Sequence, residues 1–199
     1  MPIPRPSCLP APFTLALLCA PLAVLTGAVP TGAALAQNQV APETPLVGDI
    51  PDTQAFVRYA NTPGGYSLEV PEGWARLEQG TKVSFRSKLG TVEVAVNPTS
   101  SAPTLADLRG SLLKRFGASD PAFKITAVKP VSLPAGAALL AQFRSTGALN
   151  AVTGKASVLE NALYVLFKRR QQLELRFSAL AGSDNADAWT RMARALRWR

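Results

Sequence analysis

The sequence predicts an α+β fold, in which a mainly antiparallel β-sheet packs against helices on one or both of its faces. Three observations support this prediction. Short segments alternate apolar and polar residues as half-buried strands do, closely spaced glycines and prolines mark turns between them, and two helical stripes interrupt the series. The chain has 199 residues, which suits one domain with a tail.

Four strands are predicted in the first half of the compact part. The segment Pro71-Glu72-Gly73 forms the first turn, because proline presets φ and glycine relieves backbone strain. Gly80 and Gly90 mark the next two turns. The strands lie at residues 66–70, 74–78, 82–86 and 91–96.

The first helix is predicted to begin after Thr104, an N-cap residue that is expected to form a capping box with Asp107. Gly117 is predicted to end this helix. Its inward face is an apolar stripe made of Leu105, Leu108, Leu112 and Phe116.

Four more strands and a second helix complete the predicted order. The strands lie at residues 123–133, 137–146, 155–167 and 173–177, and residues 168–171 form the hairpin turn between the last two. Ser183 or Asp184 is expected to cap the helix, which is predicted to continue to the last residues of the chain. Its end carries cations that the helix dipole favours, namely Arg191, Arg194, Arg197 and Arg199.

This order and its landmarks resemble the PsbP-like family. The most specific match is residues 65–74, Gly-Tyr-Ser-Leu-Glu-Val-Pro-Glu-Gly-Trp, and the resemblance covers roughly residues 56–199. Other matches are the strand with Phe85, the helix after Thr104, Tyr164-Val165, residues 175–178 and Trp198.

The resemblance implies an α/β/α sandwich, a fold that the family shares with a Ran-binding yeast protein. The namesake is an extrinsic, lumenal accessory protein of photosystem II, so association with that complex is one implication. The matched block is a structural device, in which Tyr66, Leu68 and Val70 share a strand face and Trp74 returns to the same core, and it therefore supports the fold more than a function. Histidines proposed as metal ligands in some relatives have no counterpart, because this chain has no His.

Residues 1–36 are predicted to be a signal peptide. The chain has no charged residue from 6 to 42, and its apolar run ends at Ala34-Leu35-Ala36, whose small residues suit signal peptidase. Both cysteines, Cys8 and Cys19, lie in this leader, so the mature chain from Gln37 is expected to have no thiol. The alternatives are a leader that is retained as a membrane anchor and a lipoprotein acylated at Cys19.

Residues 37–55 are predicted to be a Pro-rich tether and residues 56–199 the folded domain. Of the 21 Lys and Arg, only Arg5 precedes residue 56, and three of the 13 Asp and Glu lie in the tether. The domain therefore carries 20 cations and 10 acids, a net charge of +10. Such a charge favours anionic partners, and export makes nucleic acid the least suitable of them.

Two basic clusters are the predicted binding residues. One is the hairpin turn, with Lys168, Arg169 and Arg170, and the other is on the second helix, with Arg191, Arg194 and Arg197. The sequence does not decide whether the clusters share a face, and ordinary solvated charge is the competing interpretation. We expect a monomer that is peripheral to a membrane and binds an anionic envelope surface or a membrane protein complex, without nucleic acid.

No catalytic, cofactor-binding or metal-binding residue is predicted, and no cofactor is expected. The sequence contains S-x-x-K at residues 111–114 and S-D-N at 183–185, as penicillin-recognising serine enzymes do, but no K-T-G follows and both segments suit helices. Four strand glutamates are the other candidates for acid–base chemistry, although their alternation with apolar residues predicts solvated positions. They are Glu69, Glu78, Glu93 and Glu174.

The sequence thus favours an exported, non-enzymatic accessory or binding module on the outer side of a bacterial membrane. One alternative is a small-ligand or lipid carrier with a dry cleft between helix and sheet. A second is a photosystem II-associated extrinsic protein. An enzyme would instead need a cleft that gathers polar residues with perturbed pKa values.

Overall fold

The computed structural model describes residues 48–117, 119–149 and 154–199. The helices are α1 (Leu105–Leu112), which continues as a π-helical turn (Leu113–Gly117), and α2 (Ala186–Ala195). The strands are β1 (Phe56–Asn61), β2 (Tyr66–Pro71), β3 (Ala75–Gln79), β4 (Lys82–Ser87), β5 (Gly90–Pro98), β6 (Lys124–Leu133), β7 (Gly136–Leu149), β8 (Ala156–Lys168), β9 (Gln171–Leu180) and β10 (Arg197–Trp198).

The strands form two antiparallel sheets. A seven-stranded sheet has the order β3-β4-β5-β9-β8-β7-β6, and a three-stranded sheet has the order β1-β2-β10. The predicted α+β fold with a mainly antiparallel sheet is confirmed. Each of the eight predicted strands is present, with ends that differ from the prediction by at most three residues.

Different elements cover the two faces of the seven-stranded sheet. Successive side chains of a strand point to opposite faces. In β8, Leu163 and Val165 join a core cluster with Leu108 and Leu112 of α1, whereas Leu166 belongs to a larger cluster with α2 and the three-stranded sheet. The seven-stranded sheet is therefore the middle layer of the described domain.

Aromatic rings fill the larger core. The rings of Phe177 and Trp189 stack with centroids 5.8 Å apart, which joins α2 to β9. Tyr59 meets Phe85 edge-on at 5.1 Å, which joins the two sheets. Trp74 packs against the same cluster, as the sequence predicts. Buried aromatic pairs of this kind stabilise a core beyond the apolar area that they bury.

The start of α1 has the predicted capping box. The hydroxyl of Thr104 accepts a 3.1 Å hydrogen bond from the backbone N–H of Asp107, whose carboxylate accepts a 2.9 Å bond from the backbone of Thr104. These bonds satisfy N–H groups that a helix start leaves without partners. The backbone bond from Thr104 is also the main cause of a lowered Asp107 pKa.

Three predictions about strands and helix ends were wrong. The sequence prediction missed β1 and β10, and it extended the second helix to the last residues. Leu196 leaves the helical conformation with φ −57° and ψ 130°, and the chain then pairs with β2 as a two-residue strand. Arg197 and Arg199 are therefore not helical residues.

The predicted caps of α2 also need correction. The N-cap is Asn185, not Ser183 or Asp184, and its side chain makes no capping bond. Instead Oδ1 of Asn185 accepts a 2.7 Å bond from Ile50, and Nδ2 donates a 3.0 Å bond to the carbonyl of Gly48. Ile50 is buried in the larger core, so this part of the predicted tether packs against the domain.

The predictions for the N-terminus lie outside the described residues. They include the signal peptide at 1–36, the alternatives of a retained anchor or an acylated Cys19, and the tether up to residue 47. Of the helices that the structure describes, none combines the length and the apolar character that crossing a bilayer requires.

Candidate basic cleft

A cleft of about 710 Å³ lies beside the three-stranded sheet. Its walls come from all three strands of that sheet, from the turn between β6 and β7, and from the end of β8. Its size lies within the range of small-molecule sites. Four cationic side chains and no acidic one line what we call the basic cleft, and the cations are Arg58, Lys168, Arg197 and Arg199.

The short strand β10 positions two of these cations. Trp198 pairs with Tyr66 of β2 and is buried, whereas Arg197 and Arg199 on either side of it are exposed. This is the alternation that an extended strand imposes. The backbone N–H of Arg199 donates a 3.1 Å bond to the carbonyl of Gly65, which fixes the chain just beyond the strand.

Ser67 stands between two arginines on the outer face of the small sheet. Nη2 of Arg58 donates a 3.1 Å hydrogen bond to Oγ of Ser67, and Arg197 is the cross-strand neighbour of Ser67 on the other side. Nη1 of Arg197 also donates to the carbonyls of Arg194 and Leu196, at 2.8 and 2.9 Å. These partners orient both guanidinium groups without neutralising their charge.

Lys168 enters the cleft from the end of β8, where its Nζ donates a 3.4 Å hydrogen bond to the carbonyl of Trp198. Arg169 and Arg170 form the predicted hairpin turn, with φ of 50° and 61°. A two-residue hairpin with two positive φ values normally carries Asn-Gly, because larger side chains strain this conformation. The turn therefore holds two exposed cations next to the cleft at some conformational cost.

The structure brings together only part of the predicted binding residues. Of the six, Lys168 and Arg197 line the basic cleft. Arg169 and Arg170 lie beside it in the chain, but they are not among its lining residues. The clusters of the turn and the chain end thus meet at one place, through one residue of each.

Two of the predicted binding residues, Arg191 and Arg194, lie on the second helix as predicted but outside the basic cleft. Nε of Arg191 forms a 2.9 Å ion pair with Glu69, and its guanidinium lies 4.2 Å from the ring centroid of Phe56. Arg194 is an exposed residue of α2 and does not line the cleft. Arg191 is therefore a neutralised surface residue, and the helix contributes neither side chain to the cleft.

The sequence prediction missed Arg58 altogether, because it missed β1. An alternating pattern is hard to see there, since Asn61 is a polar residue that points inward and Val57 an apolar residue that is exposed. Tyr59 between them is buried and was the one available signal of a strand.

Two tyrosines near the cleft remain uncharged. Burial raises the pKa of Tyr66, whose hydroxyl donates a 3.4 Å bond to the carbonyl of Thr81. Burial also raises the pKa of Tyr59, against the lowering effect of the hydrogen bond from Asn61. The phenol of Tyr66, which lines the cleft, therefore adds no negative charge to it at neutral pH.

The strand glutamates considered for catalysis all face arginines. Among the described residues, by contrast, none of the four cleft cations takes part in an ion pair with a carboxylate. The glutamate pairs are Glu69 with Arg191 at 2.9 Å, Glu78 with Arg76 at 3.1 Å, Glu93 with Nε of Arg176 at 3.0 Å, and Glu174 with Arg115 at 3.5 Å.

The serines considered for catalysis bond to nearby backbone. Oγ of Ser111 donates a 2.9 Å bond to the carbonyl of Leu108, one turn earlier in the same helix. Ser183 donates to the carbonyl of Leu180. Within residues 48–117, 119–149 and 154–199, no three or more acidic side chains gather as a metal site would need. In both motifs the serine hydroxyl therefore has a local structural role, as a donor to a nearby backbone carbonyl.

A smaller depression of about 240 Å³ lies between the π-helical turn and the seven-stranded sheet. It is one of two places where a carrier of the predicted kind would hold its ligand, and the other is an apolar depression of about 260 Å³ beside the segment before α1. Its lining includes Phe116 but also two carboxylates and two guanidinium groups, of Glu93, Glu174, Arg115 and Arg176.

The fold is similar to those of several solved structures. The solution structure of cyanobacterial PsbP (CyanoP) from Synechocystis sp. PCC 6803 aligns with a TM-score of 0.51 and 16% identity, over 77% of this chain and 99% of that one. The chain has a PsbP-like fold. The fold that the sequence resemblance implied is thereby confirmed.

Two more distant structures also align. The Ran-binding protein Mog1p of Saccharomyces cerevisiae gives a TM-score of 0.49 and 9% identity, over 73% of this chain and 96% of that one. LpqN, which is involved in cell envelope biogenesis of Mycobacterium tuberculosis, gives 0.39 and 15%, over 77% and 88%. No protein-family profile and no curated protein sequence matches the chain.

Proposed function

We propose that the protein is an exported, non-enzymatic accessory module that attaches to an anionic partner on the outer side of a bacterial membrane. The observation that carries this proposal is the basic cleft, where four cations gather without an acidic residue. Cations held close together repel one another, and an entering anion relieves that repulsion. The partner is an anionic envelope surface or a membrane protein complex.

The surroundings of the cleft favour binding over catalysis. Arg58, Lys168 and Arg197 are held by hydrogen bonds to a hydroxyl or to backbone carbonyls, and the lining residues include no carboxylate or imidazole side chain that would activate the Ser67 hydroxyl as a general base does. Binding of an anion needs only this arrangement of donors, whereas acid–base or nucleophilic catalysis needs a further group.

The carrier alternative requires a dry pocket between helix and sheet, and the depression beside the π-helical turn is lined by two carboxylates and two guanidinium groups. An apolar depression of about 260 Å³ lies between the segment before α1 and strands β6 to β8, but its volume is below the usual range of small-molecule sites. The carrier alternative therefore receives less support than the basic cleft. The photosystem II alternative rests on the fold likeness alone, so photosystem II membranes belong among the test surfaces.

The test measures how much purified protein sediments with bacterial envelope membranes as ionic strength rises. We expect retention at low salt that falls steeply, because salt screens the attraction between exposed charges. The double variant Arg58→Gln with Lys168→Gln is expected to lose most of the retention. The matched control, Lys88→Gln with Lys124→Gln, removes the same charge from exposed positions outside the cleft and is expected to keep it.

Two further arms separate the parts of the proposal. The double variant Arg169→Glu with Arg170→Glu tests whether the hairpin turn adds to the attachment. If neither salt nor the cleft variant changes the amount of protein retained, attachment through basic residues is refuted. Cell fractionation tests export. A cytosolic protein with an intact leader is the outcome that contradicts it.

A further inference from the structure

We propose that the basic cleft is a site for phosphate groups, and that its ligand presents two of them close together. This inference rests on the proposed function and names the chemistry of its anion. The phosphates are carried either by a free molecule or by lipid headgroups. Both sources offer the same group to the same donors.

One pair of donors lies on either side of Ser67. Arg58 uses Nη2 for its bond to the Ser67 hydroxyl, and Arg197 uses Nη1 for the carbonyls at the end of α2. A guanidinium has five N–H donors in a planar fork, and the remaining ones suit the oxygens of a phosphate. Their existing partners hold both groups in place before a ligand arrives, which reduces the entropy lost on binding.

The second pair, Lys168 and Arg199, is held next to Trp198. Lys168 bonds to the carbonyl of Trp198, and Arg199 follows that residue and is anchored by its backbone to Gly65. An ammonium group has three donors, and one of those of Lys168 is engaged. The short strand β10 thus helps to order both pairs, because it contains Arg197 and is followed directly by Arg199.

The balance of charge favours phosphate over carboxylate. A phosphate monoester carries about −1.5 to −2 at neutral pH, so two such groups match the four cations of the cleft, whereas four carboxylates would be needed. Consecutive side chains of an extended peptide are about 3.3 Å apart along the chain. Four acidic residues would therefore extend beyond the two-residue strand around which the cations gather.

The test uses inorganic pyrophosphate as the two-phosphate probe, with orthophosphate and tetraglutamate as comparisons at equal ionic strength. Binding to the purified protein is measured by calorimetry. We expect pyrophosphate to bind at least about tenfold more tightly than either comparison, because it reaches both pairs of donors. Tetraglutamate that binds as tightly as pyrophosphate would overturn the phosphate assignment in favour of an acidic peptide.

The site is tested with matched variants. Arg58→Gln with Lys168→Gln is expected to weaken pyrophosphate binding at least about tenfold, since each charged hydrogen bond contributes that much or more. Lys88→Gln with Lys124→Gln is expected to leave it unchanged. Circular dichroism checks that each variant folds, and Lys168→Gln alone replaces the double variant if the latter does not. If the cleft variants bind pyrophosphate as tightly as the unaltered protein, the binding site lies elsewhere.

Vesicles separate the two sources of phosphate. Phosphatidylcholine vesicles with and without phosphatidic acid are added to the protein. Cleft-dependent binding to the acidic vesicles identifies a headgroup, and pyrophosphate binding without it identifies a free molecule. If envelope membranes retain the protein through the cleft while neither pyrophosphate nor the phosphatidic acid vesicles bind to it, the phosphate inference fails and the proposed function stands. If the membranes, the vesicles and pyrophosphate all fail to bind through the cleft, both the inference and the proposed function fail.

Discussion

The backbone N–H of Ile50 donates a 2.7 Å hydrogen bond to Oδ1 of Asn185, a residue 135 positions later in the chain. Both residues are buried, and Nδ2 of the same Asn185 donates to the carbonyl of Gly48. One side chain therefore satisfies a donor and an acceptor of the first described segment. It joins that segment to the start of α2.

Replacing Asn185 with Ala is expected to lower the free energy of unfolding by about 2–4 kcal/mol, because two buried backbone groups lose their partners. Urea denaturation measures the change. Asp184→Ala is the matched control, since Asp184 is exposed and its bond to Asp49 uses the backbone N–H, which Ala keeps. An Asn185→Ala variant as stable as the control would show that residues 48–50 are held by other contacts.

Gly64→Ala is expected to be destabilising by about 1–3 kcal/mol through a steric clash. A Cβ at Gly64 would lie 2.4 Å from Cε1 of Tyr66 and 2.8 Å from Oδ1 of Asn61, and both neighbours are buried. Thermal unfolding measures the loss.

The adjacent Gly65 separates clash from backbone strain. It has φ of +65° and space around its Cβ position, so Gly65→Ala is expected to cost about 1 kcal/mol from strain alone. Gly65→Asn should cost less, since Asn tolerates positive φ better. A Gly64→Ala variant that is no less stable than Gly65→Asn contradicts the steric explanation.

Arg169→Asn with Arg170→Gly is expected to stabilise the protein by about 1–2 kcal/mol. Both residues have positive φ, and Asn-Gly is the pair that such a hairpin turn prefers. Chemical denaturation gives the gain. Arg169→Gln with Arg170→Gln removes the same charges but keeps the strain, so an equal gain in that variant would attribute the effect to charge repulsion instead.

Asp120 is expected to make stability depend on pH in the acidic range. Burial raises the pKa of Asp120, but hydrogen bonds from the side chain and backbone of Thr146 and from the backbone of Ala122 outweigh it and lower the pKa. Because the folded-state pKa lies below the unfolded value, this stabilisation is present above about pH 4 and is lost as pH falls through the folded-state pKa.

The measurement is the free energy of unfolding from neutral pH down to pH 2 or so. Asp120→Asn is expected to be less stable by about 1 kcal/mol at neutral pH and to lose less stability on acidification, because the amide does not titrate. A variant whose pH dependence parallels that of the unaltered protein would show that other carboxylates account for the acid sensitivity.

The sequence predicted the large sheet well, and it did so for a local reason. The inner strands of that sheet bury at least one face, so their alternation of apolar and polar residues survives in the sequence, as in Leu173, Leu175 and Phe177 of β9. The edge strand β3, whose five residues are all exposed, was marked by its neighbouring turns instead. The hairpin turns carry glycines or charged residues that mark their positions. Local pattern and final structure agree in this part of the chain.

The small sheet was harder to predict, because its outer strands depend on distant partners. β10 has two residues and exists through its pairing with β2, some 130 positions earlier by the register of Arg197 with Ser67. The apolar spacing of Trp189, Met192 and Leu196 also continues the helical stripe past the last helical residue. The same apolar spacing would be seen if the helix continued, so the local sequence does not show where the helix ends. For this reason Arg197 was assigned to the helix and not to β10.

The basic cleft contains residues that the sequence predicted and residues that it did not. Lys168 was predicted because the sequence clearly marks the hairpin turn beside it. Arg58 was missed because the sequence does not clearly mark the strand in which it lies. Arg58 and Arg197 lie near each other because β1 and β10 pair with opposite sides of β2. A local sequence pattern cannot predict this strand order. Charge counting therefore predicted a basic surface but not the residues that meet in it.

The contrast between paired and unpaired arginines has a kinetic consequence. Arginines of the large sheet face glutamates, as Arg144 faces Glu160 at 2.8 Å, whereas the cations of the cleft have no such counterions among the described residues. If the partner is anionic, as we propose, these uncompensated cations attract it from a distance, so that encounters led by the three-stranded sheet are favoured. Salt would then slow the association itself as well as weaken the complex.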